Sequence, residues 1–467
     1  MKTKKINYVY KTEPYDHQKD VLEVSWAARY WALFLEMGTG KSKIICDTIG
    51  MLYERGEINA ALILAPKGVF DNWVKGEIPT HLPDRIERNV LRWTPSKTKA
   101  FQEKLRAITY EDSEDLKIFV MNIEAFSSAR GTKAAQTFLN SNPDNIVVVD
   151  ESTTIKNRKA ARTKNIVDLE ELSKYRRILT GSPVTKSPMD LFSQCLFLSP
   201  RALGFNSFFA FQGRYAMVQR RTMGHRSFQE IVGYRRLDEL NEKLLTFSSR
   251  ILKEDCLDLP PRIYVRREVE LTDEQAKLYT QMKRLALAQL NNGELATTSS
   301  VLTQIMRLQQ ICCGFLQPDE GPIEPLPNNR LSGLMSAIDE TQGKVIIWAS
   351  YTYDIQRITS ALRDRFGPEA VATYYGATPQ DERQDIIEKF QDVNSELRFF
   401  VGQPKTGGFG ITLHAASTMI YFSNSYDLEI RLQSESRAHR INQTKSVTYI
   451  DLVSPNTIDE KVLNALR

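Results

Sequence analysis

The chain has 467 residues, 42% of them hydrophobic and 25% charged, an ordinary globular balance that excludes a disordered or fibrous protein. That length exceeds what one hydrophobic core usually organises, so two or three domains are expected. A formal net charge of +5 admits an anionic partner but is too small over this length to demand one. The five cysteines are scattered without paired C-x-x-C spacing, which argues against a disulfide framework and against structural zinc. The opening "MKTKK" is not followed by an apolar leader, and no later run is long enough to span a bilayer. The expectation is a cytoplasmic protein, in the host cytoplasm if viral, with no membrane partner.

In chain order, "EPYDHQKD" comes first. A glutamine amide both donates and accepts, so Gln18 is a candidate reader of an adenine edge, with Tyr15 as a stacking wall. Next, the apolar run at 32–37 leads through "GTGKS" into "KIICDTIGML", the strand, glycine loop and helix that a phosphate-binding loop requires. Gly38, Thr39 and Gly40 let backbone N–H groups close on phosphate oxygens, Lys41 offers a compact charge to the β and γ phosphates, and Ser42 a hydroxyl to Mg²⁺. The strict pattern would have glycine where Leu35 stands. ATP and Mg²⁺ are therefore the expected cofactors.

Short apolar runs recur at 60–66, 117–122, 145–151 and 176–183, as in the buried strands of a parallel sheet. The third, "NIVVVDE", ends in two carboxylates. Asp150 at the sheet's carboxyl edge is expected to hold Mg²⁺, and Glu151 to orient and deprotonate water. From about 190 to 335 the strand rhythm gives way to helix-like segments. Within it, 211–236 interleaves aromatics with Arg214, Arg220, Arg221, Arg226, Arg235 and Arg236. It reads either as a phosphate-tracking surface or as a solvated helical face with aromatics packed beneath. Lys156, Arg158 and Lys159 pose the same choice.

Strand-like runs return at 344–350, 370–376, 397–403, 417–423 and 446–452, giving a second sheet. Between the last two, "QSESRAHRINQ" spaces Gln433, Arg437 and Arg440 by steps of four and three, one face of a helix. Arginine is always charged and forked, so this face is expected to meet a γ-phosphate held by the other lobe. The site would then be complete only when the lobes close.

These motifs in this order resemble superfamily 2 helicases, most closely the Snf2-type DNA-dependent ATPases. The likeness runs from "PYDHQ" through "MGTGKS", "LILAPKGVFDNW", "VVVDES", "LTGSPVTKSP", "KVIIWASY", "YYGATPQDER", "PKTGGFGITLHAAS" and "QSESRAHRINQ" to "NTIDEKVL". It implies two RecA-like parallel-sheet lobes of an α/β fold with a helical insert and linker: an ATP-binding lobe at 1–195, the insert at 196–335 and the second lobe at 336–467. It implies that Pro66, Lys67 and Trp73 track a DNA strand and that Thr180, Gly181 and Ser182 link nucleotide state to DNA. Thr406 and Gly407 would touch DNA, and Gly408 and Gly410 the nucleotide; Arg220 and Arg221 are further candidate contacts. In the acidic box Ser152 and Thr153 stand where the family usually has a histidine-containing pair. The implied protein is a minimal, monomeric, ATP-driven translocase on double-stranded or branched DNA. The alternatives are a strand-separating DNA or RNA helicase and a decayed nucleic-acid-binding scaffold.

Overall fold

The computed structural model describes residues 8–466 apart from 186, 224–225, 292–297, 319, 408–410 and 442. Two compact units result, Met1–Leu257 and Asp258–Arg467. In the first, β1 (Tyr30–Leu35), β2 (Ala60–Ala65), β3 (Arg88–Arg92), β4 (Leu116–Asn122), β5 (Asn145–Val149) and β6 (Tyr175–Leu179) build a parallel sheet. β7 (Ala216–Met223) and β8 (Arg226–Tyr234) form a separate antiparallel ribbon, and β9 (Ser248–Ile251) returns to pair with β1. The sheet order is β3-β4-β2-β5-β6-β1-β9. β2 and β5 are buried along their whole length, which is why their sequences are unbroken aliphatic runs.

In the second unit β10 (Arg262–Glu268), β13 (Lys344–Trp348), β14 (Val371–Tyr374), β15 (Phe399–Gly402), β16 (Ala416–Tyr421) and β17 (Val447–Val453) lie in the order β10-β17-β16-β13-β15-β14, again all parallel. β11 (Phe315–Leu316) and β12 (Glu324–Pro325) form a small hairpin of their own. The protein is thus α/β with two parallel-sheet lobes. No described helix is long and apolar enough to cross a membrane.

The stretch 196–335 is shared between the two units and is not uniformly helical. The segment 211–236, read either as a phosphate-tracking surface or as a helical face, continues a helix, Phe208–Tyr215, and then turns into the β7–β8 ribbon. Helix formers are at least as common in the ribbon as β-branched and aromatic residues, so propensity does not decide it; Phe211 and Tyr215 stand four apart in the helix, whereas Phe228 and Tyr234 in the ribbon do not keep helical spacing.

Candidate active site

β1 ends at buried Leu35, and the chain turns through Glu36–Gly40 into a 14-residue helix, Lys41–Glu54. Gly38 and Gly40 take φ of +84° and +86°, the left-handed region where a side chain is strained. At Gly40 the constraint is also spatial: a Cβ there would lie 2.1 Å from Nε2 of Gln18. The Gln18 amide donates to the Thr39 carbonyl at 3.0 Å and accepts from the Tyr15 N–H at 3.0 Å, while His17 Nε2 sits 2.9 Å from the same carbonyl. Gln18, expected to face a base, is 2% exposed and holds protein backbone with both ends of its amide. Thr39 Oγ1 donates to the Glu36 carbonyl at 2.7 Å, and Lys41 Nζ to the Leu35 carbonyl at 2.9 Å. The first N–H groups of the following helix have no intrahelical partner, and its first turn carries no acidic residue to compete for them. This loop fits a phosphate.

Two strands away, β5 delivers Asp150, whose backbone N–H donates to the Leu64 carbonyl at 2.7 Å. Its carboxylate accepts from Trp73 Nε1 at 2.9 Å and from the Glu151 N–H at 2.9 Å. Its carboxylate oxygens are the hard donors that Mg²⁺ takes. Glu151 is one of the few non-glycine residues with positive φ, +47°, a conformation that persists only where surroundings enforce it.

Trp73 requires a correction. Expected on the DNA side, it is 0% exposed and props Asp150 from beneath, and a side chain without surface cannot touch a strand. Pro66 is likewise buried, its carbonyl accepting from the Val69 and Phe70 N–H groups, so of that trio only Lys67 reaches the surface. Between the two sites lies β6, which ends at Leu179 and leads into Thr180. A Cβ on Gly181 would lie 3.0 Å from Met37 Cγ and 3.2 Å from its N, so this loop rests directly on the phosphate loop. Thr180, itself buried, accepts from the Ser182 N–H at 3.2 Å.

Several supporting residues escaped sequence reasoning. Glu36 donates its N–H to the Ile251 carbonyl and accepts from the Lys253 N–H, each at 2.9 Å, so β9 fixes the rim of the phosphate loop. Arg250 donates to the carbonyls of Phe34 and Gly181 at 3.1 and 2.9 Å. Ser152 is fully buried and donates to Gln194 Oε1 at 2.7 Å, while the Gln194 amide N–H groups reach the Pro183 and Asp190 carbonyls, each at 2.8 Å. Lys156 donates to Thr185 Oγ1 at 2.7 Å, which donates onward to Asp190 at 2.9 Å. The acidic turn is therefore tied twice to the loop after β6. Arg158 lies over the rings of Phe208 and Phe209 at 4.2 and 5.2 Å. A substituted acidic box was the available signal; Gln194 itself looked like any helical glutamine.

In the second unit a helix, Leu428–Glu435, is capped by Asp427, which accepts from the Glu429 and Ile430 N–H groups. It ends before Arg437, so the single helical face expected for Gln433, Arg437 and Arg440 does not form. The arginines converge differently: both donate to the Ile411 carbonyl at 3.2 Å, and Arg440 also to Thr412 Oγ1 at 2.6 Å. Gln433 is 1% exposed, and its amide has no hydrogen bond to a described residue. Buried Arg431 anchors the helix through Asp451 and Glu435, with its guanidinium 3.5 Å from the Tyr421 ring centroid. Thr406 donates to Gln403 at 3.3 Å, and Gly407 packs where a Cβ would lie 2.8 Å from Trp348. Gly408 and Gly410 lie outside the described residues.

With this geometry in place, the SNF2-related domain matches residues 17–315 and the helicase conserved C-terminal domain residues 329–442. The chain belongs to the SNF2-related family. Its two matched domains are those of an ATP-dependent, helicase-like hydrolase. This SNF2-related chain is 25% identical over 451 residues to the SWI/SNF chromatin-remodeling complex subunit snf22 of Schizosaccharomyces pombe, covering 92% of this chain and 26% of the relative. It is 26% identical over 432 residues to the uncharacterized ATP-dependent helicase MG018 of Mycoplasma genitalium, covering 91% of this chain and 38% of that one. A solved structure of the Sulfolobus solfataricus SWI2/SNF2 ATPase core in complex with dsDNA shares 24% identity, with 98% of this chain and 91% of that chain covered and a TM-score of 0.44. The chain spans between 20% and 48% of the length of the curated relatives it is compared with.

Proposed function

We propose that this chain is an ATP-driven double-stranded DNA translocase, coupling hydrolysis to movement on, or remodelling or annealing of, DNA. The observation that carries the reading is the continuous edge formed by the Glu36–Gly40 loop, the Thr180–Ser182 loop resting on Met37, and Asp150 held by Trp73. Within it Gly38, Thr39, Gly40 and Lys41 hold the phosphates. Ser42 and Asp150 hold Mg²⁺, which when bound screens phosphate charge and orients the γ-phosphate. Glu151 accepts the proton of attacking water. Gln18 offers its remaining amide N–H to the base. Arg437 and Arg440, with Gln433 behind them, stabilise charge on the transferred phosphoryl group. Lys67, Ser182, Thr406 and Gly407 face DNA in this reading, with 196–335 acting as an insert between an ATP-binding piece at 1–195 and a second motor piece at 336–467.

The test is steady-state ATP hydrolysis without nucleic acid and with linear duplex, forked DNA, single-stranded DNA or RNA, alongside Glu151→Gln. Stimulation by duplex or forked DNA is expected, together with no turnover in the variant. A preference for RNA or single strands would replace the translocase by a strand-separating helicase, and absence of turnover on every substrate would leave a scaffold.

A further inference from the structure

The β7–β8 ribbon joins no larger sheet. An isolated two-stranded hairpin is marginal in water, so something must hold it and something must use it. Its stem is held: Tyr215 and Ala216 are in the core of the first unit, Ile231 and Tyr234 pack against that core, and the Arg235 N–H donates to the Tyr215 carbonyl at 2.9 Å. The register passes from Met217 opposite Gly233 to Val218 opposite Ile231, leaving Val232 as an extra residue. Such a bulge bends the ribbon where it leaves the stem. Beyond the bulge Gln219–Thr222 on one strand and Ser227, Gln229 and Glu230 on the other are all exposed.

Charge is concentrated here. Residues 216–236 contain five arginines and one glutamate, a net +4 in a chain whose total is +5. The single acid is spoken for: Glu230 pairs with Arg221 at 2.7 Å. Directly opposed residues in an antiparallel ladder share a face. The pairs Val218–Ile231, Arg220–Gln229 and Thr222–Ser227 therefore line one face, and Gln219–Glu230 with Arg221 the other. The first face carries no acid and offers guanidinium, amide and hydroxyl groups, with Arg220 Nε donating to Ser227 Oγ at 3.0 Å. Arginine, glutamine, serine and threonine are the side chains that hydrogen-bond to base edges. Width decides which groove: packed side chains make a ribbon about 10 Å thick, which matches a major groove of about 12 Å and not a minor groove of about 6 Å.

We infer that the β7–β8 ribbon is a duplex-DNA element whose Arg220–Gln229 face enters the major groove. The inference rests on the duplex reading above and adds a contact that none of the motor motifs supplies.

The test replaces residues 219–230 by Asn-Gly, which closes Val218 onto Ile231 as a two-residue turn. A second variant, Arg220→Ala with Gln229→Ala, keeps the ribbon's length. Both are compared with the intact chain for affinity to a labelled duplex over a salt series, and to the same duplex with its major groove filled by glucosylated hydroxymethylcytosine. The intact chain is expected to bind the filled duplex at least fivefold more weakly than the plain one, and the trimmed chain to bind both alike. Trimming should lower plain-duplex affinity about tenfold and reduce the salt slope by about one to two, at roughly 0.9 per phosphate contact. The double substitution should reproduce the loss of groove discrimination. Equal affinities and slopes for intact and trimmed chains would overturn this inference and leave the translocase reading standing. The same holds if groove filling affects intact and trimmed chains alike, or if trimming alters only binding to polyglutamate, the mark of an acidic protein partner. No duplex binding by the intact chain would sink both readings together.

Discussion

The phosphate loop of the first unit and the arginine segment of the second are built on opposite principles. Around the loop nearly every turn is fixed from outside it: Gln18 and His17 at Thr39, Ile251 and Lys253 at Glu36, Met37 under Gly181. The arginine segment is held by bonds its own side chains make, Arg437 to the Gln433 and Ile411 carbonyls and Ser436 Oγ, Arg440 to the Ile411 carbonyl and Thr412 Oγ1, around a buried Gln433 amide that bonds to no described residue. A pre-shaped cradle loses little order when it binds, whereas guanidinium groups bonded to neutral oxygens such as the Ile411 carbonyl gain from a stronger, anionic partner. In the proposed reading the first region serves binding and the second a step that occurs only part of the time.

The sharpest break in that comparison is chemical. Lys41→Ala and Glu151→Gln should each lower duplex-stimulated ATP turnover by more than about 10²-fold while sparing duplex affinity, on the scale of a lost general base or phosphate clamp; appreciable turnover in either would remove the role from that residue. Arg440→Ala and Arg437→Ala should cost about 10²- to 10³-fold in kcat, the scale of one lost transition-state donor, with nucleotide affinity nearly unchanged, and Arg440→Lys should not restore it, since lysine lacks the fork. If nucleotide binding falls in step with kcat, the arginines belong to the cradle and the contrast collapses. Trp73→Phe keeps the bulk beneath Asp150 and removes one N–H to it, so turnover should need several-fold more Mg²⁺ and fall about tenfold; an unchanged Mg²⁺ titration would make the indole mere packing.

Smaller effects sharpen the account of how the first unit is braced. Ser152→Ala and Gln194→Leu each leave a buried polar partner unpaired, costing about 1–3 kcal/mol, or roughly 2–4 °C in Tm per kcal/mol for a unit of this size. The double variant should melt higher than the sum of the two losses predicts, and duplex stimulation should fall in all three; strict additivity would show that the pair does not act as one link. The smallest effect concerns the back of the helix that follows the loop. Burial pushes the Asp47 carboxyl up to about 6 despite Lys43 at 2.6 Å. Between about pH 4 and 6 the folded chain therefore holds a proton that the unfolded chain releases, and this contribution to stability declines as pH rises through that window. The Tm of the parent relative to Asp47→Asn should drop by a few degrees from pH 4 to 6; a flat difference would mean that the carboxyl stays ionised.

The central strands were legible because burial on both faces writes them as aliphatic runs, and β1, β2, β5, β6, β13 and β15 fall where those runs predict. Three of the four edge strands were not, β14 (Val371–Tyr374) being the exception. β3, β9 and β10 expose much of their length and carry Arg88, Arg92, Arg250, Arg262, Arg266 and Arg267, so no apolar period marks them. The same blindness covered the site. Lys41, Asp150 and Glu151 announce themselves by residue type and position after a strand, whereas Gln194, Arg250 and Lys253 act through backbone carbonyls and an N–H that only folding brings near. Trp73 was placed on the DNA side by the family resemblance alone, and its burial beneath Asp150, in the π-helical turn Trp73–Glu77, has no signature in sequence.

β9 also sets an order of assembly. The rim residue Glu36 is pinned by Ile251 and Lys253, more than two hundred residues further along the chain. On the ribosome, the strands that lead into Lys41 and Asp150 emerge and can join their sheet long before that brace exists. The Glu36–Gly40 loop is therefore the last part of its own domain to close, and a chain arrested before residue 253 would carry Lys41, Asp150 and Glu151 around a loop whose edge is still untied.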